Sequence, residues 1–201
     1  TSKNIKKNAD EMRDLVYQSI LEIEEARNNT DGISGIPTGL FELDKITAGW
    51  QRSDMIVIAA RPAMGKTAFV LSMARNIAVD FNKAVAFFSL EMSSVQLTKR
   101  LISSETRIQS NKLRTGNLAE FEMQQLHSRI KKLIDAPIYI DDTPGISIFD
   151  FRAKCRRLKS TKNIEIIIID YLQLMTGGQQ KGNTNREQEI SNYSRSLKML
   201  V

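Results

Sequence analysis

The chain is 201 residues long, and its 29 Lys and Arg against 23 Asp and Glu give a formal net charge of +6. Its hydrophobic content of 41% is typical of a globular protein, and no apolar run approaches the ~20 residues that span a bilayer. A single Cys155 and a single His127 exclude a disulfide framework and a Cys/His zinc site. We therefore expect a soluble, cytoplasmic protein of one domain and an appendage, with no membrane segment.

The first predicted element is an amphipathic helix. Met12, Leu15, Val16, Ile20 and Ile23 recur at helical spacing, with charged residues on the other side. The breaker-rich residues 28–39 then end the helix. Such a helix either folds back onto its own domain or docks as an arm on another subunit, and the pattern alone leaves both open.

From residue 54 onward, apolar strands alternate with helical patterns. The predicted strands are residues 55–60, 84–90, 138–140 and 164–174. The predicted helices are residues 67–81, 95–102, 119–134, 148–158 and a last one from about residue 185. Strands that are apolar on both faces and separated by helices indicate a mainly parallel sheet with helices on both faces. The predicted fold class is therefore α/β.

A phosphate-binding loop is predicted between the first strand and the first helix of this alternation. The stretch from Ala60 to Thr67 matches the pattern G-x-x-x-x-G-K-[ST], except that Ala60 replaces the first Gly. In this motif the backbone N–H groups cradle phosphates, the Lys reaches the β- and γ-phosphates, and the Ser or Thr hydroxyl serves Mg²⁺. The predicted nucleotide-binding residues are Arg61, Pro62, Ala63, Met64, Gly65, Lys66, Thr67 and Ala68.

Two carboxylates follow other predicted strands. Asp170 ends a run of four isoleucines, where it can hold Mg²⁺ through water with Thr67 or simply end the strand. Glu91 follows the strand after the P-loop helix, a position suited to orienting and deprotonating an attacking water, as in RecA-type ATPases. Gln173 either senses the γ-phosphate or is an ordinary polar residue.

Taken together, these residues resemble the RecA-like C-terminal domain of bacterial replicative DNA helicases of the DnaB type. The likeness rests on GIPTG at 35–39, AARPAMGKT at 59–67, SLEMS at 89–93 and IDYLQLM at 169–175. The Ala at position 60 fits these helicases. The resemblance divides the chain into a linker helix and connecting loop, residues 1–34, and a RecA-like P-loop NTPase core, residues 35–201, incomplete at its C-terminus.

The resemblance implies a homo-hexamer that hydrolyses ATP with Mg²⁺, translocates on single-stranded DNA and unwinds the duplex. Lys66 and Thr67 would bind phosphate and metal, Asp170 would support the metal, Glu91 would activate water, and Gln173 would couple the γ-phosphate to DNA-facing loops. The first helix would pack on a neighbouring subunit, and a primase and a helicase loader would be partners. The arginine finger and a remaining DNA loop would lie beyond Val201, so this chain alone is expected to be weakly active or inactive.

The basic residues are concentrated in residues 147–201, which hold 10 basic and 5 acidic side chains. Lys181, in the loop 177–183, and Arg186 are the predicted DNA phosphate contacts. The basic helix at 152–159 either contacts DNA or is a solvated face.

Two other classes of function remain possible from the residues. A recombinase of the RecA or RadA type, or another RecA-fold ring ATPase, shares the P-loop and Glu91, although Tyr171-Leu172-Gln173-Leu174 argues against it. A non-catalytic ring or loader subunit retains the fold, but Lys66, Thr67, Glu91 and Asp170 are all present here.

Overall fold

A computed structural model describes residues 11–28, 32–175 and 186–198. The helices are α1 Met12–Asn28, α2 Phe41–Thr47, α3 Lys66–Arg75, α4 Ser94–Thr106, α5 Ser110–Thr115, α6 Glu120–Ile134, α7 Ile148–Lys162 and α8 Arg186–Lys198. The strands are β1 Val85–Ser89, β2 Ile138–Asp141 and β3 Ile166–Asp170. A π-helical turn, Asn76–Asp80, follows α3, and a 3₁₀ turn, Leu172–Leu174, follows β3.

The three strands form a parallel sheet, as the alternation of strands and helices predicted. Their order in the sheet is β2-β1-β3. Central strand β1 is buried throughout, and its side chains alternate between two cores. Val85 and Phe87 belong to the core that includes residues of α3 and α4. Ala86 and Phe88 belong to the core that includes residues of α7 and α8. Because both faces are covered, a continuous apolar strand is stable here.

The turn before α2 is fixed by a buried aspartate of that helix. Asp44 is 5% exposed and accepts hydrogen bonds from the Thr38 N–H at 2.8 Å, the Thr38 hydroxyl at 2.7 Å and the Gly39 N–H at 3.0 Å. Gly39 has φ +73°, and a Cβ there would lie 2.5 Å from Cβ of Asn76. The close approach and the positive φ together explain the glycine.

The prediction of a strand at 55–60 is wrong. These residues form no strand in the structure, and the Ile56 and Val57 side chains are 41% and 74% exposed. Met55 and Ile58 nevertheless pack against the two cores on either side of the sheet. An apolar run reports that its side chains favour burial, but it does not establish that the backbone has a hydrogen-bonding partner.

Other boundaries differ from prediction for local reasons. The predicted helix 67–81 divides into α3 and the π-helical turn, and the predicted strand 164–174 ends at Asp170 because the backbone tightens into the 3₁₀ turn. Helix α7 continues four residues past Leu158, to Lys162. The short helices α2 and α5 were missed because six or seven residues give too little periodicity. No helix in the described ranges is long and apolar enough to cross a membrane.

Candidate functional site: a lysine, a threonine and a buried aspartate at the sheet edge

The site is built where the start of α3 meets the end of β3. The Thr67 hydroxyl donates a hydrogen bond to Oδ2 of Asp170 at 2.6 Å, and Nζ of Lys66 lies 3.1 Å from Oδ1. Asp170 is only 3% exposed, whereas the Lys66 side chain is 28% exposed. Residues more than 100 positions apart therefore form one charged cluster. The Lys66 charge and the Thr67 hydrogen bond make burial of the Asp170 carboxylate tolerable.

One Asp170 oxygen is incompletely satisfied. Oδ1 pairs with the Lys66 ammonium, but no group in the described ranges donates it a well-aligned hydrogen bond. Nζ of Lys66 also lies over the Tyr171 ring, 4.3 Å from its centroid. The lysine thus contacts both a carboxylate and the face of an aromatic ring.

The loop before α3 is shaped by positive φ angles. Gly65 is the N-cap of α3 with φ +83°, and Ala63 has φ +64°. A Cβ on Gly65 would meet nothing within 4 Å, so the left-handed backbone, and not crowding, is what favours glycine. The N-cap contributes no side-chain hydrogen bond to the first turn. The first backbone N–H groups of α3 thus lack the side-chain cap that usually satisfies such donors, which suits an anionic ligand.

The predicted loop residues keep their side chains away from the core. Arg61, Pro62, Ala63, Met64 and Ala68 are all exposed, and the Met64 side chain is 73% exposed. The loop can therefore contribute its backbone N–H groups to a site, whereas these side chains do not pack into the core. Lys66 and Thr67 are the predicted loop residues that contact Asp170 through their side chains.

Glu91 lies just beyond the same edge of the sheet. Ser89 at the end of β1 pairs in register with Asp170, and the Leu90 N–H donates to the Asp170 carbonyl at 2.8 Å. The Ser89 hydroxyl donates to the Met92 carbonyl at 2.7 Å and accepts from the Met92 N–H at 3.1 Å. This closed turn presents the exposed Glu91 side chain. Sequence reasoning missed Ser89, although a serine at the start of a turn is a common signal.

The structure describes the other predicted contacts to different extents. Gln173 lies in the 3₁₀ turn after β3 with an exposed side chain, close in sequence to Asp170. Lys181 lies outside the described residues. Arg186 is the first residue of α8, but its side chain is not among those described. Both DNA contacts therefore stay predictions.

The basic helix α7 is partly neutralised by its surroundings. Lys154 donates to an Asp141 carboxylate oxygen at 2.5 Å and to the Thr143 hydroxyl at 2.6 Å. Desolvation raises the pKa of Asp141, but the hydrogen bonds from Lys154 and Thr143 outweigh it and leave that pKa below its usual value. Lys162 lies over the Tyr139 ring at 5.5 Å. The Lys154 charge is thus offset by Asp141, and Lys162 has an aromatic contact.

Helix α1 exposes its large apolar side chains. The exposed residues are Met12, Leu15, Val16, Tyr17, Ile20, Leu21 and Ile23, with exposed fractions between 39% and 74%. The interpretation that α1 folds back and buries this stripe on its own domain is therefore wrong for the described residues. The docking arm remains a prediction.

Comparison with known proteins supports the resemblance. Residues 35–201 match the family described as "DnaB-like helicase C terminal domain". The chain is 47% identical to "Replicative DNA helicase DnaC" of Bacillus subtilis and 49% identical to "Replicative DNA helicase DnaB" of Geobacillus stearothermophilus, each over 190 residues. These matches cover 94% of this chain but 42% of each relative.

Solved structures give the same result. A solved ATPase domain matches with a TM-score of 0.85 and 34% identity over 96% of this chain and 67% of that one. "The Structure Of A DnaB-Like Replicative Helicase And Its Interactions With Primase" matches with a TM-score of 0.80 and 34% identity, covering 96% and 46%. The predicted RecA-like α/β fold is confirmed. The chain belongs to the family of DnaB-like helicase C-terminal domains.

Proposed function

We propose that the chain is the motor part of a replicative DNA helicase, which couples hydrolysis of Mg-ATP to movement along single-stranded DNA and unwinding. The observation that carries this proposal is the cluster of Lys66 and Thr67 with buried Asp170. Two adjacent residues at the start of one helix contact a carboxylate at the end of a strand more than 100 residues away. Phosphoryl transfer needs a cation, a hydroxyl and a carboxylate in this relation.

Nucleotide phosphates fit the loop before α3. The first turn of α3 has no side-chain cap, and Gly65 holds the backbone in the left-handed region without filling the space beside it. Backbone N–H groups and the positive end of the helix dipole therefore face a phosphate together. Lys66 supplies a positive charge beside the loop, and its side chain is partly exposed and so accessible to a phosphate.

The residues present also fit a magnesium ion. The Thr67 hydroxyl and the Asp170 carboxylate offer hard oxygen atoms, which Mg²⁺ prefers. Oδ1 of Asp170 is buried without a well-aligned hydrogen bond in the described ranges, so it retains capacity for a cation or its water shell. Thr67 and Asp170 would hold the ion, which would neutralise negative charge that develops on the phosphates.

Glu91 is proposed as the group that orients and deprotonates the attacking water. Its side chain is exposed at the edge where Asp170 lies, and the Ser89–Met92 turn fixes the backbone that carries it. A carboxylate in this position can accept a hydrogen bond from water and take its proton.

Assembly and DNA contact complete the proposal. The exposed apolar stripe of α1 supports a docking arm on another subunit, because a large unpartnered apolar face is unstable in water. The homo-hexamer proposed here is the assembly that the family resemblance implies. Gln173, three residues past Asp170, would couple the nucleotide to DNA contacts at Lys181 and Arg186. The solved DnaB-like helicase is described with its interactions with primase, and we propose primase and a helicase loader as partners here.

The test has two arms. Titration of a fluorescent ATP analogue with Mg²⁺ should show binding to this chain, weakened about 10- to 100-fold in Lys66→Ala. Lys83→Ala is the matched control, since Lys83 pairs with Glu165 away from the site and should leave affinity unchanged. In the intact protein that contains this chain, ATP hydrolysis should rise with single-stranded DNA, and Lys66→Ala should abolish it. Equal activity of wild type and Lys66→Ala would refute the proposal.

A further inference from the structure

Tyr171 is the aromatic residue directly after Asp170. We propose that its ring is a positioning element for the Lys66 ammonium, which it holds beside the phosphate cradle; this inference rests on the proposed nucleotide binding. The ring centroid lies 4.3 Å from Nζ of Lys66, within the ~6 Å range of a cation–π contact. Tyr171 is half-buried, so water competes only partly for the ammonium.

Lys66 has two partners of different kinds. Asp170 contacts it through a full negative charge at 3.1 Å, and the Tyr171 ring contacts it through its uncharged π face. An arriving phosphate competes with the carboxylate for the ammonium, because both anions attract the same positive charge. The ring is uncharged and does not compete in this way, since it contacts the cation without using a hydrogen-bond donor.

The structure therefore separates two roles around one lysine. Asp170 holds Lys66 in the nucleotide-free protein, and the Tyr171 ring limits where the ammonium can go when that ion pair opens. Without the ring, the flexible four-carbon stem of Lys66 has more orientations to lose on binding phosphate. The loss should appear in nucleotide affinity and in KM, with little change in kcat.

The ring and not the hydroxyl carries this role. Oη of Tyr171 forms no hydrogen bond with any residue in the described ranges, and the contact with Lys66 is made by the ring face. Tyr171→Phe should therefore behave like wild type. Tyr171→Leu, which removes the ring but keeps an apolar side chain, should weaken binding of a fluorescent ATP analogue about three- to tenfold. Tyr171→Met is a second ring-less variant in case the leucine variant does not fold.

A double-mutant cycle distinguishes positioning from packing. In a Lys66→Met background, loss of the Tyr171 ring should change nucleotide affinity less than about twofold, because the ring has no cation to hold. The proposal is overturned if Tyr171→Leu and Tyr171→Met bind as wild type does, or if Tyr171→Phe is as weak as they are. An equal loss in the Lys66→Met background would likewise overturn it, because the ring would then act through packing.

A nucleotide-free measurement separates this inference from the proposed function. Reductive ¹³C-methylation labels the lysines, and Lys66→Arg identifies the Lys66 resonance. Because its Nζ lies over an aromatic face, the wild-type Lys66 N-methyl signal should be shifted upfield, with the shift kept in Tyr171→Phe and lost in Tyr171→Leu. No upfield shift in the wild type refutes the ring contact. If the wild type shows the shift but binds no nucleotide, the proposed function fails while the contact stands.

Discussion

Removal of Lys66 should destabilise the nucleotide-free protein as well as weaken nucleotide binding. In Lys66→Ala, the Asp170 carboxylate at 3% exposure retains the Thr67 hydroxyl as its side-chain partner in the described ranges. Removing one partner of a fully buried ion pair costs about 3–5 kcal/mol, whereas an exposed pair contributes about 0–1 kcal/mol. Because the Lys66 side chain is 28% exposed, water offsets part of the loss. We expect about 1–3 kcal/mol of lost stability.

Urea unfolding in the absence of nucleotide measures this change. With a slope of about 2 kcal/mol per molar urea, the expected loss lowers the unfolding midpoint by roughly 0.5–1.5 M. Lys83→Ala is again the matched control: Lys83 pairs with Glu165 at 3.0 Å, but their side chains are 42% and 26% exposed. Its loss should cost under about 1 kcal/mol.

A second variant tests the physical cause. Asp170→Asn removes the buried charge, so Lys66→Ala combined with Asp170→Asn should recover most of the stability that Lys66→Ala loses. An unchanged midpoint in Lys66→Ala would refute the reasoning, because Asp170 would then not depend on the lysine as its counter-charge. A double variant as unstable as the single one would show that the loss comes from the lysine stem.

Three further outcomes follow from local contacts. Ser89→Ala removes the two hydrogen bonds that close the turn carrying Glu91. In steady-state ATP hydrolysis by the intact protein, kcat should fall about tenfold while KM for ATP stays nearly unchanged. Ser89→Thr keeps a hydroxyl and should have a kcat close to that of the wild type. The Ser94 backbone N–H and hydroxyl hold the pKa of Asp142 below its usual value, so the stability that this carboxylate contributes above pH ~3.9 is lost as the pH falls through the lowered pKa. The free energy of unfolding in urea, measured from about pH 6 to 3, should therefore depend less on pH in Asp142→Asn than in the wild type. Equal pH dependence in the two proteins would contradict this. Burial, with the charge of Asp141 adding to it, raises the pKa of Cys155 to about 12. At about pH 8.5, iodoacetamide should therefore alkylate the folded chain at least ~100-fold more slowly than the urea-unfolded chain, as followed by mass spectrometry. Comparable alkylation rates would show that the thiol is accessible in the folded chain.

The sequence could predict which residues come together at the candidate site, because some are adjacent in the chain and another ends a strand. Gly65, Lys66 and Thr67 are adjacent, and a strand ending in Asp170 has only one edge of a parallel sheet at which to present its carboxylate. The two-faced burial of β1 was likewise visible, because Val85–Ser89 is apolar on both alternations up to its last residue.

The rest depended on contacts between distant segments. No local pattern shows that Lys66 contacts both Asp170 and Tyr171, since that requires the relative placement of α3 and β3. The π-helical turn Asn76–Asp80 has no periodic signature of its own. The error at 55–60 has the same origin: its side-chain pattern is that of a strand, but hydrogen bonding is a property of two segments.

On the proposed function, the buried Asp170 carboxylate would link nucleotide binding to metal binding. As a phosphate draws the Lys66 ammonium toward itself, the buried Asp170 carboxylate would lose part of its counter-charge, which is unfavourable unless another positive charge takes its place. A metal ion at Thr67 and Asp170 would supply that charge. Nucleotide and metal binding should therefore be cooperative through Asp170, because each relieves a cost that the other creates. In Asp170→Asn the carboxylate is absent, and the affinity for ATP, measured by titration with and without magnesium, should depend less on the metal than it does in the wild type.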